Sequence, residues 1–211
     1  MKLVKTLVAA AALSSAVGAQ ALVVGTLGGG AGTFATISGP PVPNGGGTLT
    51  GSVTATIVGG EVFPASTAFA NDVVPGENFL AAGPAAGNPA VLTLTGPTVT
   101  YISFLWGSPD LYNTLTVTST DGSQTFKVDG TGFTPATAFA FTNGNQTFNQ
   151  AVQFTSIGAT HIVSLTFDSA PQNAFEVGHF TTTAPVPEPE TYALMLAGLG
   201  VVGFMAKRRR R

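Results

Sequence analysis

Residue types that could carry out catalysis are sparse in this chain, and no motif brings them together. Acid–base or nucleophilic chemistry would have to use one of two histidines, His161 and His179, and no G-x-S-x-G turn presents a serine to either. His161 opens an apolar stretch and His179 lies close to Glu176, so both are expected to be structural. We therefore predict no catalytic residues and no enzymatic activity.

The acidic residues are scattered and form no recognisable pair or cluster. Hydrolysis of a glycosidic bond requires two carboxyl groups about 5 to 9.5 Å apart, and nothing in the local sequence indicates such a pair. Asp121-Gly122 and Asp129-Gly130 are explained as turns. The chain contains no cysteine, phosphate-binding loop or EF-hand pattern, so we predict no metal site and no cofactor. Calcium binding by the loops is left open.

One group of side chains has the chemistry of a ligand-binding site. Trp106 is the single tryptophan, and an exposed indole could stack on the apolar face of a sugar. Asp110, Tyr112 and Asn113 follow on the next loop and could donate or accept hydrogen bonds. The alternative is that Trp106 closes one end of a hydrophobic core. It ends a strongly apolar strand and tryptophan is usually buried, so the core is favoured.

The charge distribution excludes nucleic acid as a partner. Between residues 22 and 184 the only cation is Lys127, set against eight acids, which gives this body a net charge of -7. A basic footprint for nucleic acid is therefore absent, and so is a polybasic patch for anionic lipid. The other cations lie close to the two ends of the sequence.

The body, residues 22–184, has the pattern of an all-β sandwich. Residues 48–58 alternate threonine with apolar residues, and residues 98–106 form an aromatic and β-branched run. Two alternating arms around Asp121-Gly122 predict a hairpin, and a second hairpin is expected around Asn143-Gly144. Short strands separated by turn signals, without helical periodicity, indicate a β-sandwich.

Three stretches rich in glycine and proline are expected to be loops. They lie near Gly28, near Gly39 and over residues 76–89, GENFLAAGPAAGNP. Loops often carry function, but the small apolar composition of these three predicts spacers.

The first 21 residues have the layout of a secretory signal peptide. Lys2 and Lys5 precede an apolar run over residues 7–17, and Ala19 and Ala21 supply the small residues of a cleavage site. An uncleaved membrane helix is the alternative, but the run is short for a span. We expect export and cleavage after Ala21.

The other end of the sequence combines an apolar segment with a cationic cluster. Residues 192–206 are apolar apart from glycines, and they precede Lys207, Arg208, Arg209, Arg210 and Arg211. A helix here could cross the inner membrane, with the cations held in the cytoplasm and the body on the far side. A plain membrane anchor is the simplest interpretation.

A stiff acidic motif before this segment indicates something more specific. Pro187, Glu188 and Pro189 are rigid and extended, because each proline restricts its own φ and its predecessor. Residues 185–211, with this motif, the apolar segment and the Arg cluster in order, resemble the PEP-CTERM sorting signal of Gram-negative bacteria. The resemblance implies recognition of Pro187, Glu188 and Pro189 by exosortase, a membrane enzyme that removes the tail.

The body carries a second resemblance. The stretch YISFLWGSPDLYNTLTV, from Tyr101 onward, is similar to a motif of exosortase-dependent surface proteins with a jelly-roll-like sandwich. In those proteins a final strand reads roughly Ala-Phe-Glu-x-Asp-Asn, whereas this chain has Gly178-His179 in place of the last pair. The resemblance covers residues 90–184, and the departure weakens any ligand or ion role for that strand.

Together these observations predict three segments: a signal peptide (1–21), a jelly-roll-like β-sandwich (22–184) and a sorting signal with a transmembrane helix (185–211). The expected function is that of a non-enzymatic surface or extracellular-matrix protein, held briefly in the inner membrane and then released to the cell surface. The resemblance implies a link with exopolysaccharide and biofilm or floc formation. The alternative is a secreted carbohydrate-binding module that uses the sandwich loops.

Overall fold

The computed structural model describes residues 23–67, 76–96, 98–141, 145, 148–183 and 199. The predicted signal peptide and nearly all of the predicted sorting signal lie outside these residues. Leu199, in the apolar tail, is helical and exposed. Among the described residues, no helix has the length and apolar character needed to span a bilayer.

The described residues are organised almost entirely as β-structure. Their thirteen strands are, in chain order, β1 Val23–Leu27, β2 Thr36–Ser38, β3 Gly47–Thr50, β4 Ala55–Val58, β5 Glu61–Phe63, β6 Phe79–Ala82, β7 Ala90–Leu94, β8 Tyr101–Gly107, β9 Thr114–Ser119, β10 Gly122–Lys127, β11 Asn149–Ser156, β12 Ile162–Asp168 and β13 Phe175–Thr181.

The strands form two antiparallel sheets that pack face to face. One sheet has six strands in the order β1-β11-β8-β13-β6-β5, and the other has seven in the order β10-β9-β12-β7-β4-β3-β2. Phenylalanines from both sheets meet between them: Phe104 of β8 contacts Phe167 of β12 edge-on, with ring centroids 5.6 Å apart. Phe126 of β10 contacts Phe154 of β11 in the same way at 4.8 Å. The prediction of an all-β sandwich is confirmed.

The connectivity brings two distant loops to the same end of the sandwich. From β6 to β13, each strand crosses to the other sheet, except that β9 and β10 are neighbours in the seven-stranded sheet. Because β8 pairs with β13 and β9 pairs with β12, the β8–β9 loop lies beside the β12–β13 loop. These loops contain the polar residues singled out above.

One of the two predicted hairpins is present and the other is wrong. β9 and β10 pair around Asp121-Gly122, with Ser119 opposite Gly122. Asn143-Gly144 itself lies outside the described residues, but no strand precedes it over residues 128–141. β11, the expected second arm, instead pairs with β1 and β8. The alternation of β11 marks a strand correctly but does not specify its partner.

Two other local predictions are corrected. Residues 48–58 contain two antiparallel strands, β3 and β4, because the chain turns at Gly51, whose φ of 122° suits glycine. Residues 76–89, expected to be a spacer loop, contain the fully buried strand β6, which pairs with β5 and β13. Ala82 packs in the main core between the sheets, whereas Ala81 packs in a small cluster with Phe79 and Ala86 on the other face.

Candidate functional site

Asn113 organises the polar end of the sandwich. Its side chain is fully buried, and its Oδ1 accepts a hydrogen bond of 2.8 Å from the backbone N–H of Asp110. Its Nδ2 donates to Ser169 Oγ at 3.0 Å, which ties the β8–β9 loop to the β12–β13 loop. Two longer contacts of 3.4 Å reach Trp106 Nε1 and the carbonyl of Ala174. The asparagine therefore works as a buried clamp between two loops.

Tyr112 also links these two loops, and its side chain is more exposed than that of Asn113. Its hydroxyl donates to Asp110 Oδ2 at 2.5 Å and lies 2.8 Å from the carbonyl oxygen of Asn173. A single phenol proton cannot serve both acceptors fully. A protonated Asp110 would donate to the phenol oxygen and free the phenol proton for Asn173.

Burial and the mutual hydrogen bond both affect the pKa values of this pair. Burial raises the pKa of the Asp110 carboxyl, and the hydrogen bond from Tyr112 opposes the rise. The pKa of the Tyr112 phenol is raised well above its ordinary value, first by burial and then by the neighbouring carboxylates of Asp110 and Glu176. At neutral pH the phenol therefore remains a hydrogen-bond donor.

A buried hydroxyl–carboxylate contact completes the polar end. Ser108 Oγ donates to Glu176 Oε2 at 2.7 Å, and both side chains are buried. The two stretches that carried the second resemblance, the one containing Trp106 to Asn113 and the Ala-Phe-Glu strand, therefore meet in space. The polar side chains of these two stretches hydrogen-bond mainly within this end of the sandwich. Holding the loops together is therefore a sufficient structural role for the motif. A role in ligand binding for Asp110, Tyr112 and Asn113 stays a prediction.

The structure does not support an aromatic platform on Trp106. The residue has 0% exposure, stacks on Phe175 with ring centroids 4.1 Å apart, and meets Phe139 edge-on at 5.2 Å. Its ring has no free face for a sugar, so the alternative of a core residue describes it correctly. The physical cause is the β12–β13 connection, which places Phe175 directly on the indole.

Neither histidine joins this polar group. His161 precedes β12 and is partly exposed, as expected for a strand-end residue. His179 lies on β13 with its ring against Phe34, at a centroid distance of 3.2 Å, and its Nδ1 is 3.6 Å from Glu77 Oε2. Within the described residues, no group of three or more His, Asp or Glu could hold a metal ion.

A pocket opens beside the polar end, on the outer face of the six-stranded sheet. Glu61 of β5 is paired with Ala81 of β6, and Ala81 is paired with Glu176 of β13, so the three side chains share one face. The next row on this face holds Phe63 and Phe79, which stack with centroids 5.3 Å apart. The pocket has a volume of about 280 Å³.

Sequence reasoning missed this pocket. Glu61 was counted among scattered acids, and Ala81, Ala85 and Ala86 belong to the stretch expected to be a spacer. The available signal was Glu61 itself, an acid at the start of the short apolar run Val62-Phe63. Its proximity to Glu176 depends on β6 inserting between β5 and β13, which no local pattern reveals.

The residues with the clearest functional signal lie outside the described part of the chain. These are the cleavage residues Ala19 and Ala21, the motif Pro187-Glu188-Pro189, and the cluster from Lys207 to Arg211. Their individual roles stay predictions.

Comparison with known proteins identifies the C-terminal segment. The chain is a β-sandwich protein with a sorting tail, and residues 185–211 match the family model of the PEP-CTERM protein-sorting motif. No curated protein and no solved structure matches the chain significantly. The chain therefore carries a PEP-CTERM motif, which indicates an exported protein that passes through a membrane-anchored stage and is processed by exosortase. The resemblance of the body to exosortase-dependent surface proteins stays a prediction.

Proposed function

We propose that the chain is a non-enzymatic surface or extracellular-matrix protein of a Gram-negative bacterium, delivered by exosortase and associated with exopolysaccharide in a biofilm or floc. The observation that carries this proposal is the PEP-CTERM match over residues 185–211. The body adds support, because the polar residues of the candidate site bond to one another and act as clamps between loops. The expected role of the sandwich is to present a stable, acidic surface outside the cell.

We also assign the sandwich to the jelly-roll type. Strands β6 to β13 lie in the orders β6-β13-β8-β11 and β7-β12-β9-β10, and all connections but one cross between the sheets. A jelly roll is a double sheet of eight strands built from two Greek keys, and this order fits it. Strands β1 to β5 extend the two sheets at their edges.

The second candidate is a carbohydrate-binding module. The supporting observation is the outer pocket, where Phe63 and Phe79 lie next to Glu61 and Glu176. Aromatic rings beside hydrogen-bonding groups are a common lining of ligand pockets. A glycan array on the purified protein tests this candidate, and binding lost in Phe63→Ala with intact folding would favour it.

The main proposal is tested by changing Glu188 to alanine in the expressing bacterium. If the Pro-Glu-Pro motif is read by exosortase, Glu188→Ala leaves the apolar segment and the cations unchanged but blocks processing. The protein then accumulates uncleaved in the inner membrane with its body outward. Fractionation with an antibody to the body and a tag inserted beside Arg211 follows both parts. Glu190→Ala is the matched control, because it removes an adjacent carboxylate outside the motif.

Neutral residues in place of Lys207 to Arg211 should have a different effect. The apolar segment of residues 192–206 would rise only about 22 Å as a helix, short of a hydrocarbon core of about 30 Å. Without cations to retain its end in the cytoplasm, some chains should slip into the periplasm. Wild-type protein that reaches the surface with its C-terminal tag attached would contradict the sorting proposal and support a permanent anchor.

A further inference from the structure

The outer pocket holds a buried acid for which the protein supplies no partner. Glu61 has only 9% exposure and lines the pocket. Among the residues that the structure describes, no hydrogen-bond donor or cation contacts its carboxylate. Lys127, the single cation between residues 22 and 184, lies on β10 in the other sheet. A carboxylate that is mostly buried, has no ion-pair partner and lines a pocket is a candidate ligand for a positively charged group in that pocket.

The pocket has room for that group between two carboxylates. Glu61 and Glu176 are in register on strands separated by β6, so their backbones lie about 10 Å apart. Ala81 lies between them and presents only a methyl group. Ala81, with 3% exposure, forms part of the pocket floor, and a charged group bound between the two acids would lie above it.

The other residues that line the pocket limit which positively charged ligand could bind there. Apart from the two acids and Asn173, the pocket is lined by two phenylalanines and four alanines. A calcium ion requires six to eight oxygen ligands, and this mostly apolar wall does not offer them. A neutral sugar would meet the apolar wall but leave the buried charge unmatched. An ammonium group on a compact skeleton with an apolar face satisfies both parts of the wall.

We propose that the pocket formed by Glu61, Ala81, Glu176, Phe63 and Phe79 binds a primary ammonium group on a compact, apolar-faced skeleton. Glu61 is the principal ligand for the ammonium, and Phe63 and Phe79 contact the skeleton. Such a group occurs on a free amino sugar and on an alkylamine. The inference concerns the pocket of the carbohydrate-binding candidate but does not rest on it, because an alkylamine contains no sugar.

The proposal is tested by calorimetric titration of the full-length chain purified in a nonionic detergent. The probes are glucosamine, n-butylammonium and N-acetylglucosamine, at pH 6 and fixed ionic strength, where both amines are protonated. Binding of both amines supports the ammonium site, and binding of only one of them supports it and identifies the source. N-acetylglucosamine, which has the ring without the charge, should bind at least about tenfold more weakly than glucosamine, since a charge-assisted contact is lost.

Two variants place the binding in this pocket. Glu61→Gln keeps the side-chain shape and should weaken amine binding at least about tenfold, whereas Glu77→Gln changes a more exposed glutamate outside the pocket and should leave it unchanged. Ala81→Leu enlarges the side chain at the pocket floor with both carboxylates intact and should also abolish binding. A second readout is the melting temperature, which a saturating amine should raise in the wild type and not in Glu61→Gln.

Three results would overturn the proposal. One is a wild-type chain that binds neither amine, and another is equal affinity for glucosamine and N-acetylglucosamine. The third is unchanged amine binding in both Glu61→Gln and Ala81→Leu. Because the titration uses purified chain, none of these results depends on whether exosortase processes the protein.

Discussion

Replacing Asn113 with alanine should destabilise the sandwich, because it removes the acceptor of a buried backbone donor, the bond to Ser169 and two weaker 3.4 Å contacts to Trp106 Nε1 and the Ala174 carbonyl. The side chain is fully buried, and its removal leaves the backbone N–H of Asp110 without its 2.8 Å acceptor. Ser169 Oγ loses the 3.0 Å bond from Nδ2 but still donates to the carbonyl of Gln172. A buried donor without an acceptor costs about 2 kcal/mol and a lost bond about 1 kcal/mol, so the free energy of unfolding should fall by at least about 3 kcal/mol.

Trp106 makes this prediction simple to measure. It is the single tryptophan of the chain and lies within 3.4 Å of Asn113, so its fluorescence during urea unfolding reports on this region. With a urea dependence of about 2 kcal/mol/M, the loss corresponds to a midpoint about 1.5 M lower. Gln172→Ala, which removes an exposed amide from the adjoining loop, is the control and should cost less than about 0.5 kcal/mol.

A second substitution at the same position separates hydrogen bonding from side-chain size. In Asn113→Asp, one carboxylate oxygen can still accept the hydrogen bond from the Asp110 N–H. The other oxygen replaces Nδ2, so Ser169 Oγ faces an acceptor where it had a donor. At pH 7 the buried carboxylate should destabilise the fold strongly, and at pH 4 a protonated carboxyl can donate, so the cost should shrink. Free energies of unfolding for Asn113→Ala and wild type that agree within about 0.5 kcal/mol would refute the clamp.

Two further predictions concern the body of the protein. Because burial raises the folded-state pKa of Asp110, its contribution to stability should be fully present below the unfolded pKa near 3.8 and should be lost as the pH rises through the higher folded value. Asp110→Asn, whose amide can donate to Tyr112 at every pH, should remove this part of the pH dependence, and parallel pH profiles of unfolding for the two proteins would contradict it. Residues 22–184 should also fold alone as a cysteine-free β protein, and far-UV circular dichroism showing substantial helix would contradict that. A large fall in the melting temperature with chelator would reveal a calcium site that we do not predict.

Strand positions were largely predictable, because alternation and turn residues act locally. The runs that became β8, β9, β10 and β13 were recognisable, and the hairpin at Asp121-Gly122 followed from its turn residues. Pairing between strands was less predictable. β11 has the same alternation as a hairpin arm, yet it pairs with β1 and β8, because the chain between β10 and β11 crosses to the other sheet.

The sequence by itself indicated the sorting route of this protein. A sorting motif is read as a linear stretch, so the order of Pro187-Glu188-Pro189, an apolar segment and a cationic cluster was sufficient to indicate it. The membrane and its enzymes recognise such segments without a folded partner. For the same reason, the sorting motif could be identified although nearly all of it lies outside the described residues.

Only the tertiary structure decided what the side chains of the body do. Trp106 had the chemistry of a sugar platform, but Phe175, far away in sequence, covers its face. Glu61 and Glu176 appeared unrelated until β6 placed them on either side of Ala81. In a sandwich whose strands cross repeatedly between sheets, neighbours in space come from distant parts of the chain. Burial and pocket formation therefore depend on strand order, which local residue patterns do not encode.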